Sequence, residues 1–319
     1  MITSIVLLSF GISIIGTPSR AAASPTPNCT LASGTLCQVT FTDTASVYDW
    51  TVPNTAAAIH VVVVGGTGGS AGPDADSLGG RTTQAIQITF DATVTPGSHV
   101  SIANGAGGNS STSGAGGAGG HNPLGGYAGG DGAAQGVSGT SGGGGGGGAA
   151  SVVTVASAVY VAGGSGGSGG GSWNVPGSTG LTNAQYISSG TSGGSGFMAS
   201  SDGGGGGGGG GGLIGGQGGA AGCDHPPFST SVYCEASGAS AGGGSAGTSS
   251  SASGVQVSSI ASTPSSSGYT VITYSPSPLP SAPAIGSFTT GDTWVKLLVT
   301  APVSSGSSSL VNYQDRKSV

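Results

Sequence analysis

SDGGGGGGGGGGLIGG, residues 201–216, holds ten consecutive glycines with no side chain to pack, no charge to pair and no nucleophile. The fold depends on whether this run is a linker or part of an ordered structure. The whole chain poses the same question. Of its 319 residues 71 are glycine and only 5% are charged, against roughly 7% glycine and 25% charge in ordinary globular domains. Disorder comes with low hydrophobicity and high net charge, whereas here 35% of residues are hydrophobic and the formal net charge is only −6. Composition therefore favours an unusual ordered architecture.

The residues around the glycines point the same way. CQVTFT alternates at Val39 and Phe41, VYDWTVP follows, and AAIHVVVV spans Ala57 to Val64. TQAIQITF places Ile86, Ile88 and Phe90 at period two, and SHVSI follows a turn at Pro96-Gly97. These read as strands of an antiparallel sheet. No stretch carries a capped 3.6-residue apolar period, so helices should be few. Val152 to Val155 and Val159 to Val161 are embedded directly in glycine, and flexible linkers do not contain pieces of strand. GYTVITY, Gly268 to Tyr274, supplies a last strand before the proline-rich spacer SPSPLPSAP.

Polyglycine II helices are the ordered alternative to a linker. Each is a left-handed helix of three residues per turn, about 3.1 Å per residue, with no internal hydrogen bonds. Its amides must pair with neighbouring segments once buried, and the missing Cβ permits the approach. Because each glycine costs roughly 0.5–1 kcal/mol of extra entropy, several runs must pack together with strands holding their ends. The chain has several such runs bordered by strands, which favours a bundle.

The first 23 residues read as a secretory signal peptide: an apolar run from Ile2 to Ile15, Pro18, and the small residues Ala21, Ala22 and Ala23 before Ser24. Export fits the cysteines, which form two local pairs, Cys29 with Cys37 and Cys223 with Cys234. Disulfides are favoured over a metal site built from Cys223, Asp224, His225 and Cys234, because zinc sites show tighter paired spacing. Only Arg20, Arg81, Lys296, Arg316 and Lys317 are basic. That excludes an electropositive face for nucleic acid and basic clusters for anionic membranes.

YDWTVPNTAAAIHVVVVGGTGGSAG, TFDATVTPGSHVSIANGAGG, GGGGGGGAASVVTVASAVYVAGGSGGSGG and GYTVITY together resemble a glycine-rich domain family of bacterial surface and secreted proteins. A related form occurs in the ectodomains of anaplastic lymphoma kinase and leukocyte tyrosine kinase. The resemblance rests on the entry at Trp50, Val52 and Pro53, the segment Pro96 to Ile102, and the glycine run leading into a valine-rich strand. It covers about residues 38–275 and implies an all-β fold. That fold is an antiparallel, TNF-like β-sandwich with an inserted polyglycine II helix bundle. It does not imply a kinase, since nothing resembles the lysine strand, catalytic loop or metal-binding motif of phosphoryl transfer. Residues 283–319 resemble the first part of a fibronectin type III domain, marked by Pro283, Ile285, Thr300 to Gly306, Leu310 and Tyr313. Val299 stands where that family carries tryptophan, and the segment has under half the usual length. The organisation is thus 1–23 signal peptide, 24–37 disulfide-closed segment, 38–275 glycine-rich domain, 276–282 linker and 283–319 partial fibronectin type III-like segment.

Chemistry is sparse. His60 and His99 fall in strands, where hydrogen bonding or solvent exposure is the expected role, and neither these nor His121 and His225 sit with a recognisable nucleophile. Asp74, Asp76 and Asp131 offer too few oxygens for a calcium loop. The many G-x-G-x-x-G matches lack both the strand-turn-helix context and the lysine of phosphate loops. The sequence therefore leads to no enzyme, no cofactor and no metal. Aromatic and polar residues interrupt the glycines at His121, Asn122 and Tyr127, at Trp173 and Asn174, and at Asp224, His225, Phe228 and Tyr233. These are the ligand-contact candidates, on loops displayed by a rigid scaffold. Covering exposed edges of the bundle is the equal alternative for them. The expectation is a secreted or cell-wall-associated bacterial module, non-catalytic, that adheres to an extracellular protein or glycan. The alternative is a structural envelope spacer with no ligand.

Overall fold

Strands form where apolar residues alternate with polar ones, and the alternation fixes which face is buried. The computed structural model describes residues 24–29, 36–74, 77–136, 140–172, 177–180, 192–198, 203–222, 246–250, 252–276 and 284–300. They are all-β, with no helix among them. The strands are β1 (Cys37–Phe41), β2 (Tyr48–Thr51), β3 (Ala58–Val64), β4 (Gln84–Thr93), β5 (His99–Ala103), β6 (Ser151–Val155), β7 (Ala158–Ala162), β8 (Gln256–Ala261), β9 (Tyr269–Tyr274), β10 (Ala284–Thr290) and β11 (Val295–Thr300). Antiparallel pairing gives a five-stranded sheet of order β1-β9-β3-β4-β8, a four-stranded sheet β2-β5-β6-β7, and a separate hairpin β10-β11. The turn before β5 uses Pro96 and then Gly97 at φ 77°, with Ser98 N–H donating to Thr95 O at 3.0 Å. A type II turn demands that positive φ at its third residue.

One apolar cluster joins the two larger sheets. Val39, Phe41, Ile59, Val61, Val63, Ile88, Phe90, Ile272 and Tyr274 come from the first sheet. Tyr48, Trp50, Val100, Ile102, Val153 and Val155 come from the second. Phe90 stacks on Tyr160 at 3.7 Å between ring centres, and Phe41 meets Tyr48 edge-on at 5.0 Å. Trp50 packs between Phe41 and Tyr274 at 6.4 and 6.0 Å. The W-x-V-P entry is thus a core anchor, since buried aromatic side chains supply the largest apolar area of any residue. The disulfide Cys29–Cys37 closes the entry to β1. Cys223 and Cys234, expected to pair, residues 1–23, expected to be a signal peptide, and most of the proline-rich segment lie outside the described residues.

Four glycine-rich segments continue a strand. Residues 65–72 leave β3, 105–113 leave β5, 141–150 enter β6 and 163–172 leave β7. The segments hydrogen-bond to one another with a period of three. N–H groups of Gly142, Gly145 and Gly148 donate to Gly171, Ser168 and Ser165. Those of Gly143, Gly146 and Ala149 donate to Ser113, Asn109 and Ala106, and those of Gly144, Gly147 and Ala150 to Ala133, Gly130 and Tyr127. The carbonyls repeat the rotation. Gly142, Gly145 and Gly148 accept from Gly205, Gly208 and Gly211; Gly143, Gly146 and Ala149 from Gly72, Gly69 and Gly66; Gly144 and Gly147 from Gly117 and Gly120. Six segments therefore surround one, and all of residues 141–150 are buried. The run 203–212 is equally buried, and its carbonyls at Gly204, Gly207 and Gly210 accept from Gly222, Gly219 and Gly216. The ten glycines are a packed element: the N–H groups of Gly204, Gly205, Gly206, Gly208, Gly209 and Gly211 all donate to neighbouring segments, as buried amides must.

Candidate functional site

The described candidate loop leaves the array at Gly120, whose N–H donates to Gly147 O at 2.8 Å. Asn122, only 5% exposed, turns its side chain inward. Its Nδ2 donates to Ala150 O at 2.8 Å and Ala103 O at 3.3 Å, while Oδ1 accepts from Leu124 N–H at 2.9 Å. Those contacts close a turn in which Gly125 has φ 76°. Tyr127, at φ 62°, packs on the small cluster of Ala103, Ala150, Val152 and Val161, and its carbonyl accepts from Ala150 N–H. Asn122 and Tyr127 thus pin the base of the loop. His121 is exposed, and Leu124 is 48% exposed at the tip. Leu124 escaped the sequence reading; an apolar residue between Pro123 and two glycines was its one signal.

Trp173, Asn174, Asp224, His225, Phe228 and Tyr233 lie outside the described residues, so only the 121–127 loop has a geometry here. Asp131 and Asp74 act as braces: Asp131 Oδ1 accepts from Gly119 N–H at 2.8 Å, and Asp74 Oδ1 from Thr140 Oγ1 at 3.0 Å.

His60 and His99 each meet a carboxylate. His60 Nδ1 lies 2.8 Å from Asp91 Oδ1, and His99 Nδ1 lies 2.9 Å from Asp49 Oδ1. Both pairs are exposed to water, where such contacts contribute little to stability. The first borders a cleft of about 490 Å³ lined by Leu36, Ala58, His60, Asp91, Thr273 and Tyr274. Burial raises the Tyr274 phenol above its ordinary pKa. Among the described residues no three His, Cys, Asp or Glu side chains converge as a metal-ligand group. No helix among them is long and apolar enough to cross a membrane.

This arrangement can present a short loop on a rigid base, and among the described residues the ion pairs are the two surface His–Asp contacts. No curated protein matches the sequence. The model of the glycine-rich domain family matches residues 42–275, which hold eight of the eleven strands, β2 to β9, while β1, β10 and β11 lie outside the match. With well over half of its length matched, the chain belongs to the glycine-rich domain family.

Proposed function

We propose that the chain is a secreted or cell-surface recognition module of a bacterium, without catalytic activity, in which loops on a polyglycine II bundle adhere to an extracellular protein or glycan. The three-residue period of hydrogen bonding around residues 142–150 carries this reading. A polyglycine II helix has three residues per turn and no internal hydrogen bonds, so its amides rotate through successive neighbours in that order. Inside such a bundle most positions are glycine and the serines that are buried there bond to neighbouring segments, so recognition falls to the loops that leave it.

The shared core of the two sheets supports a TNF-like β-sandwich and the likeness to the kinase ectodomains. The β10-β11 pairing supports reading residues 283–319 as the opening strands of a fibronectin type III domain. Cys29–Cys37 supports export to an oxidising compartment after removal of residues 1–23.

The test measures binding of the chain from Ser24 onward to cells, matrix proteins and a glycan panel. One variant carries alanine at Trp173, His225 and Phe228, and a second at His121 and Leu124. Loss of binding by about tenfold or more in either variant is expected, since a few anchor residues dominate interface energies. Full binding by both refutes the loop assignment. No binding by the parent, together with an extended particle, favours the spacer, and turnover of any glycan or peptide overturns the non-catalytic reading.

A further inference from the structure

The two larger sheets have four edge strands, and three are guarded. Asn28 pairs with Gln38 on the outer side of β1 through two hydrogen bonds of 2.8 and 2.9 Å. Ser250 and Ser249 cover β7: Ser250 N–H donates to Val161 O, its Oγ accepts from Val161 N–H, and Ser249 Oγ accepts from Gly163 N–H. β2 has four residues and carries the charged Asp49. β8 is different. Its sequence QVSSIA has no charge, proline or bulge, its side chains are exposed apart from half-buried Ile260, and Val257 is 55% exposed. Among the described residues nothing pairs with its outer side. An uncharged, regular edge is a template for another strand, and proteins blunt such edges unless they are used.

The register states which groups are on offer. Ser262 N–H donates to Thr83 O at 2.8 Å, which continues the β4-β8 ladder by one step. Ile260, Ser258 and Gln256 are therefore the hydrogen-bonded partners of Ala85, Gln87 and Thr89, because such pairs alternate along an antiparallel ladder. The N–H and C=O groups of Val257, Ser259 and Ala261 point away from β4.

We propose that β8 is the edge of a twofold homodimer, paired antiparallel with β8 of a second copy about an axis at Ser259. Antiparallel pairing sets outward residues opposite outward residues, and an axis at Ser259 is the one that pairs all three. Val257 then faces Ala261 of the second copy, the two Ser259 residues face each other, and about six backbone hydrogen bonds form. No like charges are opposed, since residues 256–261 carry none. The result is one continuous ten-stranded sheet across two chains, with the same patch used on both.

Sedimentation velocity on the chain from Ser24 tests this. The parent dimerises with rising concentration. Ser259→Pro weakens the dimer by about 100-fold or more while leaving the melting temperature within a few degrees, because a proline on an edge strand loses only an outward N–H. Ser259→Cys cross-links two chains under mild oxidation, whereas Ser258→Cys, off the axis, does not. A parent that stays monomeric at every concentration overturns the proposal, including one that captures an extended peptide instead. A dimer indifferent to Ser259→Pro, or cross-linked equally through either cysteine, overturns it too.

Discussion

Replacing Gly145 by alanine puts a methyl group into the centre of the glycine array. An added Cβ there would overlap the Gly69 carbonyl oxygen, with the Gly69 carbonyl carbon at 2.6 Å and Ser70 O at 2.9 Å. Unstrained carbon contacts need about 3.5–4.0 Å, so the segment carrying Gly69 must retreat by roughly 1 Å. All the atoms met are backbone, so no rotamer change relieves the overlap. The retreat strains Gly69 N–H to Gly146 O at 2.8 Å, Ser168 N–H to Gly69 O at 3.1 Å and Gly145 N–H to Ser168 O at 2.8 Å. Losing two or three such bonds costs about 1 kcal/mol each, and overpacking adds about 1–3 kcal/mol. The stiffer unfolded chain returns about 0.4–1 kcal/mol. The net loss is roughly 2–5 kcal/mol, a fall in Tm of about 5–15 °C for a domain of this size.

A neighbouring pair supplies the control. At Gly193 an added Cβ meets the Gly209 carbonyl, its carbon at 2.5 Å, while at Gly194 the nearest atom is Gly218 N at 3.3 Å. Gly193→Ala therefore destabilises and Gly194→Ala stays within about 1 kcal/mol of the parent. Calorimetric melts of the three variants decide the matter. A Gly145→Ala protein melting within about 2 °C of the parent, or equal effects at 193 and 194, would refute the close-packed reading.

Four further outcomes follow from the geometry. Trp50→Ala removes the core anchor and lowers stability by about 3–5 kcal/mol in denaturant melts, with β structure retained at low denaturant. Opening Cys29–Cys37, by reduction or by serine at both positions, costs about 2–3 kcal/mol through the chain entropy of its short loop; an unchanged Tm would contradict this. Asn122→Ala strands the Ala103 and Ala150 carbonyls and costs about 2–3 kcal/mol, which a merely exposed contact residue would not. The Tyr274 phenol, raised above 10.0 by burial, binds its proton more tightly in the folded state. Its contribution is complete below pH 10 and is lost as pH climbs from there through the folded pKa, so alkaline melts fall and Tyr274→Phe lessens the fall.

Much of the β framework was legible in the chain. Val39 and Phe41, the apolar run Ala57 to Val64, and Ile86, Ile88 and Phe90 announced strands, and where one face is buried period two records it. β8 was missed for the converse reason: with side chains open to water along most of its length, QVSSIA carries no apolar period. Which segments pair across the array was not legible, since glycines are interchangeable in sequence while their partners lie up to two hundred residues away. The period itself is written in the residues that interrupt the glycines. Ala115 and Ala118, and Ile214, Gln217 and Ala220, recur every third position on exposed rows. Ser165 and Ser168 recur likewise but inward, where Ser165 Oγ accepts from Gly68 N–H and Ser168 Oγ lies 3.1 Å from Thr82 Oγ1. Within the candidate loop, the brace role of Asn122 was hidden because it depends on carbonyls supplied by β5 and by the entry to β6. Leu124 was hidden because a lone exposed leucine is common on any surface.

The most direct measurement is hydrogen exchange across Gly142–Gly148 and Gly203–Gly212. An ordered array predicts that these amides exchange as one protected group, slowed about 1,000-fold or more relative to an unstructured chain, because they open only with a large cooperative unit. Exchange at the unstructured rate in both runs would make them linkers and would contradict the account.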